Sequence, residues 1–367
     1  MLQHHGSQSS DREETLHAAG SNGVRRHSGH HADQNDRSAV RQQFDARQDD
    51  LGFWHCAFGL SIESDRRLSG LPVCSPLSVA DVRVHLSSHK QFSLQEVLYR
   101  SPYLTDAREP ILVVRRTSEQ GFNFQYCDGT CFYLDKTGSE VFANWPDGLT
   151  VEDTAVYLYG PILGFILRLR GVVSLHASGV QLNGRGIALV GPPGAGKSTT
   201  AAAFVQSGCR VLTDDVFALI DSPNGLFVQP AYPGIRLWPE SVRHLWGSAE
   251  ALPRLTMSWE KRYLNLEQQA RGGDSQPLPL GAIYLLGERT DEPAAPYFAS
   301  APSLLDLIAN TYAGYAISPE MRAHEFDVLS RLMNTVPVRK VIPHSDPARL
   351  PELCRLIEQD ATALLLA

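Results

Sequence analysis

Residues 187–205, IALVGPPGAGKSTTAAAFV, constrain the fold more than any other part of the chain. An apolar run precedes a segment that satisfies G-x-x-x-x-G-K-[ST], and an alanine-rich stretch follows it. This order of strand, glycine-rich loop and helix is that of a phosphate-binding loop. Its glycines let the backbone approach phosphate groups closely, and the N-terminus of the following helix favours anions. The segment therefore predicts a nucleotide-binding α/β domain with a central sheet.

The loop residues are the expected contacts of the nucleotide. They are Gly191, Pro192, Pro193, Gly194, Ala195, Gly196, Lys197, Ser198 and Thr199. Lys197 would reach the β- and γ-phosphates, and the Ser198 hydroxyl would ligate Mg²⁺. ATP and Mg²⁺ are therefore the expected cofactors.

Two adjacent aspartates, Asp214 and Asp215, follow the extended segment RVLT. One aspartate at a strand end beside a phosphate-binding loop is typical of a metal ligand, and two side by side suggest two roles. Asp214 can hold Mg²⁺, while Asp215, close to a hydroxyl acceptor, can take its proton. A solvated loop start or a helix cap is the alternative interpretation of the pair.

His176 lies in the apolar strand VVSLHASGVQL, which comes immediately before the strand of the loop. Adjacent strands would bring its ring near the phosphates. A histidine satisfied within the core is the alternative, and by itself this position favours it.

Composition excludes some classes of protein. The chain has 367 residues, of which 43 % are hydrophobic, and this predicts about two globular domains. A net charge of −7 argues against a general binder of nucleic acid or anionic membranes. The longest apolar run, residues 155–167, is shorter than the ~20 residues that span a bilayer, so it predicts a buried helix. With no signal peptide at the start of this sequence, the cytoplasm is the expected location.

Three regions follow one another along the chain. Residues 1–50 are rich in His, Gln, Ser, Asp and Arg and predict a disordered tail. Residues 51–150 alternate with period two between turn residues, which predicts a mostly antiparallel β domain of unknown role. Residues 151–367 open with a helix over 151–170, for which Thr150 is the expected N-cap, and then alternate between strand and helix.

The stretch from His176 to Asp215 resembles the catalytic domain of the HPr kinase/phosphorylase family. That family places a histidine 21 residues before the loop lysine and an Asp-Asp pair 17 and 18 residues after it, and this sequence has the same spacing. The resemblance covers residues 170–345 and implies a P-loop kinase fold of the phosphoenolpyruvate-carboxykinase-like type, with a mixed sheet. It also implies that His176 assists at the phosphate site, Lys197 holds the phosphates, Ser198 binds Mg²⁺ and Asp215 is the base for an acceptor serine.

Two further segments, PAYPGIRLWPES at 230–241 and KRYLNL at 261–266, are similar to an HPr-kinase-like subgroup. The Glu-Ile-Arg-Gly signature of the enzymes that regulate sugar uptake is absent here, and Glu240 is a candidate substitute for its glutamate. This departure leaves a reverse phosphorylase activity open.

Three cations in these segments could neutralise charge on a transferred phosphoryl group, namely Arg236, Lys261 and Arg262, with Arg262 the preferred catalytic member. A surface salt bridge is the alternative for each. Trp238 is expected in the core.

The main hypothesis is an ATP-dependent serine kinase. The resemblance implies a peptide or small-protein acceptor, either an HPr-like protein or a lasso-type precursor peptide, and a homo-oligomer. The sequence leaves open a small-molecule kinase and a non-catalytic module that senses ATP. It predicts no nucleic-acid and no membrane partner.

Overall fold

The computed structural model describes residues 52–86, 92–267 and 276–366. The tail predicted over residues 1–50 lies outside the described residues, and its disorder stays a prediction.

The first region contains one eight-stranded sheet. Its strands are β1 (Phe53–Ala57), β2 (Leu60–Ser64), β3 (Val82–His85), β4 (Leu94–Arg100), β5 (Leu112–Thr117), β6 (Phe122–Tyr126), β7 (Cys131–Leu134) and β8 (Glu140–Asn144). They are ordered β1-β2-β3-β8-β7-β6-β5-β4. Only the β2–β3 and β3–β8 pairs are parallel. The mostly antiparallel pairing agrees with the period-two pattern of the sequence.

A helical segment links this sheet to the rest of the chain. It consists of α1 (Val151–Tyr157), a π-helical turn (Leu158–Ile162) that contains Pro161, and α2 (Leu163–Leu169). Phe165 packs edge-on against Phe122 and Phe124, with ring centroids 4.8 and 5.0 Å away. The buried helix that the apolar run predicts is therefore confirmed, and it covers a face of the first sheet.

Thr150 caps α1, as the sequence predicts. Its hydroxyl accepts from the Asp153 amide at 3.2 Å, and its own amide donates to Asp153 Oδ2 at 2.9 Å. These reciprocal bonds form a capping box, which satisfies two amides that the helix cannot.

We expect Thr150→Ala to lower the free energy of unfolding by about 1 kcal/mol, because the Asp153 amide then loses its side-chain acceptor. Thr150→Ser, which keeps the hydroxyl, is the matched control and should change stability far less. Thermal unfolding followed by circular dichroism measures both variants. Equal losses in the two would show that the methyl group, and not the cap, is responsible.

The second region mixes strands and helices. Its strands are β9 (Ser174–Leu182), β10 (Arg185–Val190), β11 (Arg210–Thr213), β12 (Val216–Ser222), β13 (Gly225–Gln229), β14 (Gly234–Leu237), β15 (Arg262–Asn265), β16 (Leu278–Leu286), β17 (Tyr297–Phe298) and β18 (Val338–Ile342). Its helices are α3 (Lys197–Gln206), α4 (Pro239–Trp246), α5 (Leu304–Ile308), α6 (Pro319–Thr335) and α7 (Leu350–Leu366). Two 3₁₀ turns, Ala249–Ala251 and Pro347–Arg349, complete it.

The main sheet of this region is mixed. β10 pairs with β9 in antiparallel fashion and with β16 in parallel fashion. β9 also pairs with β11 and β12, and β14 forms a separate two-stranded sheet with β15. A mixed α/β architecture with several sheets is therefore confirmed. Because β10 lies between two partners, the loop that follows it leaves from the interior of the sheet.

The two regions share one cluster of buried apolar side chains. Phe124 of the first sheet, Leu163 of α2, and Val216 and Tyr232 of the second region belong to the same cluster of buried side chains. Two further clusters of buried side chains belong to the second region alone. The domain boundary at residue 150 stays a prediction.

Residues 303–313 are helical only in their first half. α5 ends at Ile308, and the chain then runs beside β9. The His176 amide donates to Asn310 O at 2.8 Å, and the Tyr312 amide donates to Ser174 O at 2.7 Å. Pairing with the backbone groups of β9 takes the place of further helical turns.

Among the residues that the structure describes, no helix combines the length and apolarity needed to cross a membrane.

Candidate functional site

The phosphate-binding loop lies between β10 and α3, as its sequence predicts. Gly196, the N-cap of α3, has φ of 97°, a left-handed conformation that favours glycine. A Cβ atom on Gly191 would lie 3.0 Å from the Leu286 carbonyl oxygen of the neighbouring strand. The amides of the first turn of α3 have no partner within the helix, so they are donors for an anion at this end.

Lys197 is buried and is held by its own loop. Its ammonium donates to the carbonyl oxygens of Gly191 at 2.8 Å and Pro192 at 3.0 Å. The tip of the loop, residues 192–194, is exposed. Thr199 is turned towards α4, where its hydroxyl lies 2.9 Å from that of Ser241.

Asp214 is buried and connects the loop to the sheet. Its Oδ1 accepts from the Ser198 hydroxyl at 2.8 Å and from the Ser178 hydroxyl of β9 at 2.7 Å. Its Oδ2 accepts from the Arg236 amide at 3.0 Å. The structure therefore brings together the two residues predicted to bind metal, Ser198 and Asp214.

Asp215 points to a different set of partners. Its φ of 76° is left-handed, and this sharp turn between β11 and β12 separates the two adjacent carboxylates. Asp215 Oδ1 lies 3.2 Å from His176 Nε2, and Oδ2 accepts from the Tyr312 hydroxyl at 2.9 Å. His176 and Asp215, predicted as partners in chemistry, are in direct contact.

The charge of Asp215 is stabilised by its surroundings. Burial raises its pKa, but the hydrogen bond and charge of His176, with the charges of Arg236 and Lys261, outweigh burial and hold the pKa well below its usual range. The side chains of Asp215 and His176 remain 30 % and 28 % exposed. Asp215 is thus an accessible carboxylate that is ionised at neutral pH.

Tyr312 and Gly160 complete the site, and sequence reasoning missed both. The Tyr312 ring also meets His176 edge-on, with centroids 5.7 Å apart. A Cβ atom on Gly160 would lie 2.9 Å from Asp215 Oδ2 and 2.9 Å from the Tyr312 hydroxyl. The only sequence signal for this close approach is the Gly-Pro step inside an otherwise apolar helix.

The predicted cations divide into two groups. Arg262 donates to the carbonyl oxygens of Ala249 and Glu260, so its guanidinium supports the backbone after α4 and does not contact Asp215 or His176. Arg236 and Lys261 act on Asp215 through their charges. On strands β14 and β15 Arg236 lies opposite Tyr263 and Leu237 lies opposite Arg262, so the two arginines project from opposite faces.

Two other side chains lie outside the core and outside the carboxylate cluster. Trp238 is 38 % exposed and the Lys261 ammonium lies 4.9 Å from its ring centroid, so the prediction that Trp238 is a core residue was wrong. Its position as N-cap of α4 keeps it at the surface. The Glu240 side chain is 75 % exposed and lies 3.6 Å from His244 Nε2.

The chain was compared with protein-family models, curated proteins and solved structures. No protein-family model matches the chain, and no curated protein matches it. Among solved structures, the HPr(Ser) kinase/phosphatase from Coxiella burnetii is similar over 53 % of this chain and 90 % of that chain, at 17 % identity and a TM-score of 0.27.

Proposed function

We propose that the protein is an ATP-dependent kinase that transfers the γ-phosphoryl group to a seryl hydroxyl of a peptide or small protein. The observation that carries the proposal is that two adjacent carboxylates, Asp214 and Asp215, have different partners. Asp214 is bonded to the hydroxyl of the phosphate-binding loop, and Asp215 is held by His176 and Tyr312 with an accessible face. A nucleotide site with a second, ionised carboxylate beside it is suited to an alcohol acceptor.

The nucleotide side of the site fits ATP with Mg²⁺. The donor set of Ser198 and Asp214, one hydroxyl and one carboxylate, is what Mg²⁺ uses when phosphates and water supply its other ligands. When bound, Mg²⁺ neutralises charge on the β- and γ-phosphates. Lys197, released from the carbonyl oxygens of its loop, would bind those phosphates, and the backbone N–H groups of residues 194–199 would surround them.

On the acceptor side, Asp215 is the base. The bond from the γ-phosphorus to the β–γ bridging oxygen breaks as the bond from the seryl oxygen forms. The seryl proton passes to Asp215, and ADP leaves. Because the pKa of Asp215 is low, its main contribution is to orient the hydroxyl and accept the proton late, as a loose transition state requires.

Arg236 and Lys261 are the cations that we assign to charge neutralisation near the reacting groups, in place of Arg262. Both already affect the Asp215 carboxylate, whereas Arg262 is bound to backbone carbonyls. We also propose that this region belongs to the phosphoenolpyruvate-carboxykinase-like P-loop kinases. Assembly into a homo-oligomer stays a prediction.

The experiment that tests the proposal supplies ATP labelled in the γ-phosphate, with Mg²⁺, to the full chain. The acceptors are an HPr protein and a library of peptides that each carry one serine, and the control library has alanine in its place. We expect label on serine peptides or on HPr, ADP as the other product, and no label on the alanine library. Bound ATP with no labelled acceptor and no ADP would overturn the proposal in favour of a nucleotide-sensing module.

A further inference from the structure

A cavity lies beside the carboxylate pair, and Arg236 is the one residue of its lining that has a role in the reaction above. It has a volume of about 110 Å³, which is room for several water molecules. Its walls come from three parts of the fold: residues 67–70 after β2, helix α1 with Tyr159, and the segments around β14 and β15. No residue of the phosphate-binding loop is among those that line it.

Arg236 presents an unsatisfied donor in this cavity. Its Nε is buried and has no hydrogen-bond partner among the described residues, while Nη1 reaches only the Val156 carbonyl oxygen at 3.4 Å. Its Cζ lies 5.6 Å from the ring centroid of Tyr232 and 5.9 Å from that of Tyr159. Two aromatic rings therefore hold the guanidinium, and its Nε–H remains available to a ligand.

Tyr263 supplies a second donor. Its hydroxyl is buried and also has no hydrogen-bond partner within the described part of the chain. A Cβ atom on Gly234 would lie 2.3 Å from this oxygen and one on Gly70 would lie 3.3 Å from it. Glycine at both positions permits the close approach of the hydroxyl to these two segments of backbone. A buried donor of this kind is costly unless a ligand satisfies it.

The lining of the cavity carries one buried cation. Arg67 and Glu152, which also line it, are both exposed and carry opposite charges. Arg236 is the buried cation, and its charge also acts on Asp215 across the wall that the cavity shares with the carboxylate pair. A guanidinium N–H and a phenolic O–H together match a carboxylate, whose two oxygens each accept hydrogen bonds.

The cavity and the carboxylate pair share a wall. The Tyr232 hydroxyl donates to the Asp214 carbonyl oxygen at 3.2 Å, and the Arg236 amide donates to Asp214 Oδ2 at 3.0 Å. Tyr159, which also lines the cavity, precedes Gly160, the glycine that lies against Asp215. A ligand in the cavity is thus one layer of side chains away from the proposed base.

We propose that this cavity binds a carboxylate of the acceptor, and that this contact helps to place the seryl hydroxyl at Asp215. The carboxylate is either the C-terminus of the acceptor chain or an Asp or Glu side chain near the serine. That the ligand is an acceptor rests on the proposed kinase function, whereas the carboxylate site itself does not.

The first test measures the site without any phosphoryl transfer. Propionate, compared with propionamide at matched ionic strength, should raise the melting temperature of the full chain. Tyr263→Phe and Arg236→Gln should reduce this rise, whereas the same substitutions outside the cavity, Tyr297→Phe and Arg331→Gln, should retain it. A wild-type chain that propionate and propionamide stabilise equally would overturn the site, whatever its kinase activity.

The second test uses serine peptides as acceptors. Each peptide is made with a free C-terminus, as the C-terminal amide, and as the amide with one Asp at the same distance from serine. Removing the carboxylate should raise KM at least about tenfold for the wild type and much less for Tyr263→Phe. Rescue by the Asp peptide would identify a side-chain carboxylate, and no rescue a C-terminal one.

The two proposals fail in different ways. Equal transfer to acid and amide peptides would overturn the acceptor contact and leave the kinase standing. Stabilisation by propionate with no transfer to any acceptor would overturn the kinase and leave an anion site.

Discussion

Asp215→Asn is expected to lower γ-phosphoryl transfer by about 10²–10⁴-fold while the protein still binds ATP. The amide keeps the size of the carboxylate but cannot take the proton of a hydroxyl. Asparagine also tolerates the left-handed φ of 76° at this position, so the turn between β11 and β12 should persist. Single-turnover transfer to the labelled acceptor measures the loss, and titration with ATP measures binding.

Asp221→Asn is the matched control for this variant. Asp221 lies in β12, the strand that follows Asp215, and its carboxylate contacts Arg331 at the surface. Its transfer rate should equal that of the wild type. Wild-type transfer by Asp215→Asn would show that Asp215 is not the base, and loss of ATP binding in that variant would assign its charge to the nucleotide instead.

The local parts of this site could be predicted from the sequence. The phosphate-binding loop, the turn at Asn183-Gly184 and the strand that carries His176 are each encoded within a few residues, because glycine and turn chemistry act locally. The sequence also predicts different roles for Asp214 and Asp215. What the sequence could not supply was the left-handed turn that separates their side chains.

The rest of the site depends on contacts that periodicity does not encode. The Tyr312 hydroxyl contacts Asp215, which is 97 residues away in the sequence. Tyr312 lies in the segment after α5, whose backbone pairs with β9. Hydrophobic pattern predicts that a strand edge will be covered, but not by which segment. The sequence does not reveal which face of the β14–β15 sheet meets the site. It therefore does not show that Arg236, and not Arg262, is the arginine on the side of Asp215.

The apolar helix at 151–170 illustrates the same limit. An apolar run with few polar positions predicts burial on all sides, and the structure buries it between the first sheet and the second region. Gly160 meets Asp215 there, and Gly164 would meet the Tyr312 ring at 2.6 Å with a Cβ atom added. The helix that packs on the first sheet therefore also lies against two residues of the site, Asp215 and Tyr312.

The ion pair that anchors this helix should have the largest effect on stability. Arg168 of α2 and Glu325 of α6 are hydrogen-bonded, and each side chain is only 2 % exposed. Glu325→Gln leaves the Arg168 charge buried without a counterion, which should cost about 3–5 kcal/mol of unfolding free energy. Urea unfolding followed by circular dichroism measures this loss.

Two comparisons separate burial of charge from loss of contact. The double variant Arg168→Met with Glu325→Leu removes both charges and should be close to wild-type stability, because neither ion then needs a partner. The exposed pair of Arg331 and Asp221 is the surface control, and its loss through Asp221→Asn should cost about 1 kcal/mol or less. A double variant as unstable as Glu325→Gln would mean that the pair itself, and not the avoided buried charge, holds α2 against α6 and keeps Gly160 beside Asp215.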